Sequence, residues 1–302
     1  MEKRTLHHTD LTVSKLCMGT ANFGTVLSQS QVNEHLDLFW EHGGNFLDTA
    51  HVYSNWIPGE TSRSEKMIGR WMKHHNRSDV ILCTKGGHYD FGDEKTSRIT
   101  PKQLAIDLEE SLNCLQTEYI DVYMLHRDNP TLPVDEIMDC LNDFAQGGRI
   151  RYLACSNWSA ARTAKANAYA RKSGKRGFVI NQLMWSMASI NPAALPEDYI
   201  VMDEEMLRFG LESGMNFMCF SALAKGYFTR RYAGKPISDE LHKTYGNAFN
   251  DQQIQKLLSL PNSTMVTHEC LRFFDRQPVA AIPVVAFSGK DQLLECMNAF
   301  KA

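Results

Sequence analysis

Short runs of apolar and β-branched residues recur along the chain, each followed by a longer stretch whose apolar residues return every three or four positions. The runs fall at 16–19, 45–48, 80–85, 121–126, 151–156, 179–182, 216–220 and 280–287. Continuous apolar runs of four to eight residues predict buried strands, and the longer period predicts helices with one apolar face. Helices are expected at 31–42, 63–74, 101–113, 134–146, 159–172, 203–213, 252–274 (broken at Pro261) and 291–299. Several ends carry capping chemistry. Thr100-Pro101 supplies an N-cap oxygen and then a proline where no N–H is needed. Ser159 can cap the fifth helix, and Gly147-Gly148 closes the fourth with a residue free to take positive φ.

Strand–helix alternation implies parallel strands joined by right-handed crossovers. Eight such units in 302 residues fit an α/β fold of one domain over 1–302, a closed (β/α)8 barrel. An open doubly wound sheet would bring a Gly-x-Gly-x-x-Gly turn after its first strand. The chain instead reads Gly19-Thr20-Ala21-Asn22-Phe23-Gly24. The stretch 183–201 exceeds a plain connector and is expected as a loop over a site or as a disordered excursion.

Composition narrows the class. With 43% hydrophobic and 22% charged residues the chain matches ordinary globular proteins and excludes collagen-like, coiled-coil and disordered classes. No run approaches the ~18 apolar residues of a membrane span. The first ten residues carry charges and two histidines, so no secretory signal is expected. The balance of 32 basic against 35 acidic residues argues against nucleic-acid and membrane-surface partners, while a local basic pocket for a phosphate stays open. Eight cysteines occur without a Cys-x-x-Cys pair, many in apolar settings such as Ile81-Leu82-Cys83. They read as small core residues in a reducing, cytoplasmic compartment. No cluster has metal-ligand spacing, and His7-His8 and His74-His75 read as surface residues.

In a barrel of this kind, chemistry sits at the C-terminal strand ends. There the second run ends in Asp48, with Tyr53 five residues on; the third ends in Lys85 and the fourth in His126. The fifth ends in Ser156-Asn157, the sixth in Asn181-Gln182 and the seventh in Phe220-Ser221. A phenol is a poor acid near neutrality, and an adjacent ammonium stabilises its phenolate. Lys85 can act so on Tyr53, Asp48 can pair with Lys85, and His126 can hydrogen-bond a carbonyl or share a proton with Tyr53. Such a set fits proton delivery to a carbonyl oxygen while hydride adds to its carbon.

These segments resemble the aldo-keto reductases. The resemblance rests on Asn45-Phe46-Leu47-Asp48-Thr49-Ala50-His51-Val52-Tyr53, Thr84-Lys85, Met124-Leu125-His126-Arg127, Gly148-Arg149-Ile150-Arg151-Tyr152-Leu153-Ala154-Cys155-Ser156-Asn157-Trp158 and Ser221-Ala222-Leu223-Ala224-Lys225-Gly226, in family order and weakening after about residue 230. It implies a TIM barrel that binds NADPH or NADH without a Rossmann fold and reversibly reduces an aldehyde or ketone to an alcohol. Tyr53 would be the proton donor, Lys85 would depress its pKa, Asp48 would buttress Lys85, and His126 would orient the carbonyl. Ser156, Asn157 and Gln182 match positions that hold the nicotinamide amide, and Phe220 matches the ring that stacks on it. Ser221, Leu223 and Lys225 lie in the loop toward the pyrophosphate.

The chain departs from the family pattern after the last strand, where Ala286-Phe287-Ser288-Gly289-Lys290-Asp291-Gln292 holds no Arg. Ser288 or Lys290 is then expected to take the adenosine 2′-phosphate, with Gln292 and Glu295 reaching the adenosine. The family often has Asn at Cys296. Trp56 is the preferred substrate contact, and Tyr89, Trp158 and Trp185 are further candidates for an apolar pocket. Arg230-Arg231 and Lys235 read as a basic loop. Two other functions use the same residues: a Schiff base on Lys85, as in aldolase-type barrels, and a nucleotide-binding subunit that senses redox state with little turnover.

Overall fold

A computed structural model of the protein describes residues 1–301. The chain opens with an antiparallel hairpin, β1 (Lys3–Thr5) and β2 (Thr12–Ser14). It continues through β3 (Cys17–Gly19), α1 (Gln29–Glu41), β4 (Phe46–Asp48), α2 (Arg63–Met72), β5 (Ile81–Gly86) and α3 (Pro101–Leu115). Then come β6 (Ile120–Leu125), α4 (Val134–Gln146), β7 (Ile150–Ser156), α5 (Ala160–Lys172), β8 (Phe178–Met184), α6 (Glu204–Ser213) and β9 (Asn216–Phe220). The last part holds α7 (Tyr227–Tyr232), α8 (Asp239–Tyr245), α9 (Ala248–Leu257), α10 (Ser263–Arg272), β10 (Ala281–Ala286) and α11 (Lys290–Asn298).

The strands β3 to β10 form a closed barrel in the order β10-β3-β4-β5-β6-β7-β8-β9, every neighbouring pair parallel. This is a (β/α)8 TIM barrel. Strand periodicity of two decides what points inward. Phe46, Cys83, Val122, Met124, Ala154, Ile180 and Met218 fill the barrel interior with Ile282 and Val284, while Leu47, Leu82, Tyr123, Leu153 and Phe217 pack under the helices. Leu6, Leu11 and Val13 of the hairpin join the interior cluster and stopper the N-terminal end. Two residues beyond an inward apolar position the chain turns polar: Phe46 leads to Asp48, Cys83 to Lys85, Met124 to His126, Ala154 to Ser156 and Ile180 to Gln182. The polar layer of the site is therefore the top rung of the interior pattern.

The expected caps form. Thr100 accepts from the Gln103 N–H, Ser159 accepts from the Arg162 N–H, and Gly148 sits at φ 73°. The region between β9 and β10 breaks where expected, at Pro261, and adds two short helices. The helix read over 252–274 is two, α9 and α10, capped separately by Asn247 and Asn262. The short α7 and α8 precede them, and Arg230-Arg231 lie in α7 rather than in a loop. These helices build a third apolar cluster around Tyr227, Phe228, Tyr245 and Val266.

The stretch 183–201 is ordered. Buried Asn250 accepts from the Ser189 N–H and donates to the carbonyls of Ser189 and Tyr245, and the Asn191 N–H donates to the Thr244 carbonyl. Among the described residues no helix is long and apolar enough to cross a membrane.

Candidate active site

At the C-terminal mouth three of the sequence-derived residues meet around one cation. Lys85 Nζ donates to Asp48 Oδ2 at 2.8 Å, to the Thr49 carbonyl at 2.8 Å and to the Tyr53 hydroxyl oxygen at 3.0 Å. Lys85 is fully buried and Asp48 nearly so. All three ammonium protons are thus engaged. Burial alone would strip the charge from Lys85, but Asp48 and Tyr53 hold it, and its pKa stands above the ordinary lysine value. The second Asp48 oxygen accepts from Gln182 Nε2 at 2.9 Å.

Tyr53 corrects one expectation. Its phenol is not made acidic. Burial pushes it up to about 12; the Lys85 ammonium pulls the other way, and Asp48, which offsets Lys85, adds to the rise. The Tyr53 oxygen accepts from Lys85, which leaves the phenolic proton free to be given elsewhere. His126 lies edge-on to Tyr53 with ring centroids 5.9 Å apart. Burial first, then His88, Lys85 and Arg127, hold its imidazole well below the usual histidine range, so it stands neutral. Its Nδ1 is buried without a partner.

A cleft of about 920 Å3 runs from this cluster across the mouth. Its wall includes Asp48, Tyr53, Phe220, Ser221, Leu223, Lys225, Gln292, Glu295 and Cys296. The loop after β9 is strained in a useful way: Ser221, Ala224 and Lys225 all take positive φ (53°, 49° and 51°). Among the described residues the Ala222 and Leu223 amides find no acceptor. Open backbone N–H groups in such a turn suit an anion. Lys225, Arg230 and Lys235 add positive charge to the same cleft. Lys225 is paired with Glu240 at 2.7 Å.

Other sequence-derived positions fall differently. Asn157 (φ 60°) accepts from the Ile200 N–H and donates to Ser156 Oγ, so it ties the strand end to the 183–201 stretch. Ser288 does not line the cleft; its N–H and hydroxyl both donate to Gln292 Oε1. Lys290 also lies outside it, held by Glu34 of α1 at 2.6 Å. The phosphate role expected of these two stays a proposal: one is folded back on its own helix, against Gln292 of the cleft wall, and the other is paired by charge with a neighbouring helix at the surface. Trp158 and Trp185 are buried structural rings. Trp158 Nε1 donates to the Arg127 carbonyl, and Trp185 packs on Phe273 and Phe274. Trp56 is half exposed and meets Tyr53 edge-on at 6.5 Å.

Sequence reasoning misses several wall residues. Thr20, Ala21 and Asn22 follow the first barrel strand, and Ser263 and Thr267 come from α10. The Asn262 cap signal that starts α10 is the available clue. His88 and Phe91, in the loop after β5, pack on His126 and Trp56. Arg127 has a role that its place in the sequence does not announce. Its guanidinium stacks on Tyr89 and Tyr199 at 5.5 and 5.3 Å and meets Asp198 at 2.7 Å.

The profile of the Aldo/keto reductase family matches residues 15–302. Norsolorinic acid reductase B of Aspergillus parasiticus is 33% identical over 72% of this chain and 56% of its own length. The chain thus spans little more than half of that relative. An aryl-alcohol dehydrogenase [NADP(+)] of Phanerodontia chrysosporium is 36% identical over 50% of this chain and 40% of that protein. In fold, the chain matches aldo-keto reductase AKR11C1 from Bacillus halodurans (holo form) with a TM-score of 0.73 and 24% identity, covering 100% of this chain and 91% of that one. The barrel, the buried Asp48–Lys85–Tyr53 cluster and the profile match converge on one conclusion: this chain belongs to the aldo/keto reductase family.

Proposed function

We propose that the chain is an NAD(P)H-dependent oxidoreductase that reduces an aldehyde or ketone to an alcohol, reversibly, with Tyr53 as proton donor. The observation that carries this reading is the Lys85 ammonium, 2.8 Å from Asp48 and 3.0 Å from the Tyr53 hydroxyl, beside an elongated cleft. A bound nicotinamide dinucleotide would supply hydride to the carbonyl carbon. The residues present fit that group: open amides at Ala222 and Leu223 with Lys225, Arg230 and Lys235 for phosphates, and Phe220 for the ring; Ser156 and Gln182, buried at their strand ends outside the cleft wall, are proposed for its amide. The three cations, together with the NADP(+) named for one relative, favour NADP(H), with NAD(H) the alternative.

The chain's own chemistry follows from protonation state. Neutral His126 donates a hydrogen bond to the carbonyl oxygen and orients it. Tyr53 keeps its proton until charge develops on that oxygen, then gives it up, and Lys85 stabilises the phenolate left behind. Asp48 keeps Lys85 charged and in place. A Schiff base at Lys85 would need a free amine, whereas this ammonium has three acceptors.

The test is reduction of benzaldehyde and simple ketones with NADPH, then with NADH, by the wild type and by Tyr53→Phe. Loss of turnover by roughly 10²–10⁴-fold in the variant, with NADPH still quenching tryptophan fluorescence, supports the role. Unchanged turnover removes Tyr53 from it.

A further inference from the structure

Five rings close a circle at the barrel mouth. Centroids lie 6.5 Å apart for Trp56 and Tyr53, 5.9 Å for Tyr53 and His126, 4.7 Å for His126 and His88, 5.7 Å for His88 and Phe91, and 6.1 Å for Phe91 back to Trp56. Tyr53 and His126 are its deep members. Trp56 and Phe91 form a rim, 46% and 47% exposed, which is unusual for rings of this size. Most of the contacts are edge-to-face, the geometry in which one ring's positive edge meets another's negative face. An exposed aromatic rim of this kind suits contact with a planar aromatic guest that reaches Tyr53 from the cleft.

One member carries a polar handle that the proton-transfer chemistry does not use. His88 Nδ1 lies 2.8 Å from the Tyr89 carbonyl oxygen, which can only accept, so Nδ1 holds the proton. Burial, aided by Arg127, brings the imidazole down to about 4, which leaves the ring neutral at working pH. Nε2 is then a lone-pair acceptor on the ring edge opposite the Tyr89 carbonyl, with the Tyr89 ring packed against the imidazole at 4.1 Å. Among the described residues nothing donates to it, and it is not among the sealed unpartnered atoms, so it remains reachable.

We propose that His88 is a specificity-determining residue whose Nε2 accepts a hydrogen bond from a hydroxyl on the ring of an aromatic aldehyde or ketone held in this collar. The assignment rests on the carbonyl-reductase reading, with the carbonyl oxygen on Tyr53 and His126. The substrate class is a hydroxylated aryl carbonyl. An acceptor left bare by a guest without the hydroxyl makes the site discriminate against that guest.

The experiment compares kcat/KM for 2-, 3- and 4-hydroxybenzaldehyde with the matching methoxybenzaldehydes, whose ether oxygen cannot donate, using NADPH throughout. The readout is the hydroxyl-to-methoxy ratio within each protein. The wild type should favour the hydroxyl about fivefold or more at one ring position. His88→Phe should bring that ratio close to one, and His88→Gln, whose amide oxygen accepts, should restore part of it. Should His88→Phe fail to fold by circular dichroism, His88→Leu takes its place. A wild-type ratio near one at every position overturns the assignment without any variant, as does a preference that survives in His88→Phe. Absence of wild-type turnover on benzaldehyde itself would instead overturn the underlying reductase reading.

Discussion

Gln182 at the end of β8 donates its side-chain amide to Asp48 at the end of β4, 2.9 Å away across the barrel and 134 residues distant in the chain. With Lys85 on the other oxygen, the buried Asp48 carboxylate is satisfied from two sides. Gln182→Ala leaves Asp48 Oδ1 bare in the interior. We expect a stability loss of about 1–3 kcal/mol, read from the urea midpoint at unchanged slope. A midpoint equal to the wild type would show that the bond contributes nothing.

The high pKa of Tyr53 sets the direction of the pH response. Reduction needs the protonated phenol, and burial raises its pKa to about 12. The rate of reduction should therefore stay level through neutrality and fall only on the alkaline side, whereas alcohol oxidation, which needs the phenolate, should climb with pH. Lys85→Met removes the cation that pulls the phenol down, so the alkaline limb should move to higher pH. Initial rates between about pH 6 and 10.5 check both: reduction should stay level across the window, and alcohol oxidation, which tracks the small phenolate fraction, should climb with pH and be lowered throughout in Lys85→Met; an alkaline fall of reduction inside the window in Lys85→Met contradicts the assignment.

Among the described residues Arg230 and Lys235 supply cleft charge without being bound to a carboxylate, whereas Lys225 is shared with Glu240. Neutralising Arg230 or Lys235 with Gln should weaken NADPH more than NADH, about tenfold for each charge-assisted hydrogen bond removed. Fluorescence titration at two salt concentrations separates this from general screening. Equal weakening for both nucleotides would move the 2′-phosphate elsewhere.

Asn250 is fully buried; it makes two hydrogen bonds to Ser189 that seat the 183–201 stretch and a third to the Tyr245 carbonyl. Asn250→Ala should cost about 1–3 kcal/mol, because it strands the Ser189 N–H, while the Ser189 and Tyr245 carbonyls keep Asn247 Nδ2. Proteolysis should then cut first within 183–201. If cleavage begins at the loop after β5 instead, Asn250 is not the anchor.

Much of the fold could be read from residue pattern because burial repeats with a fixed period. Asp48, Lys85 and His126 are found by stepping two places beyond inward apolar positions, which needs no coordinates. The tryptophans show where such reading stops. Trp158 and Trp185 sit next to strand ends, yet a side chain's direction in a loop follows no period, and both turn into the core. Lys290 illustrates a second limit, since its partner Glu34 lies far earlier in the chain, on the helix that follows the first barrel strand. The acidity of Tyr53 is a third. Residue identity supplied the sign of the Lys85 effect, but the outcome depends on how far burial outweighs it, a matter of depth. Asn247 and Asn262 are legible caps, and they divide the 252–274 region once their side-chain acceptors are weighed against Pro261.

The stopper at the base of the barrel has a consequence for how the molecule is made. Leu6, Leu11 and Val13 rest on an interior that includes Ile282 and Val284, and β3 completes its pairing only with β10. Residues synthesised among the first must wait for strands synthesised near the last. Such long-range closure is slow, because chain entropy is lost before contacts reward it. Until β10 emerges, the early strands would therefore stand as an unclosed crescent with bare edges, the stage most exposed to aggregation.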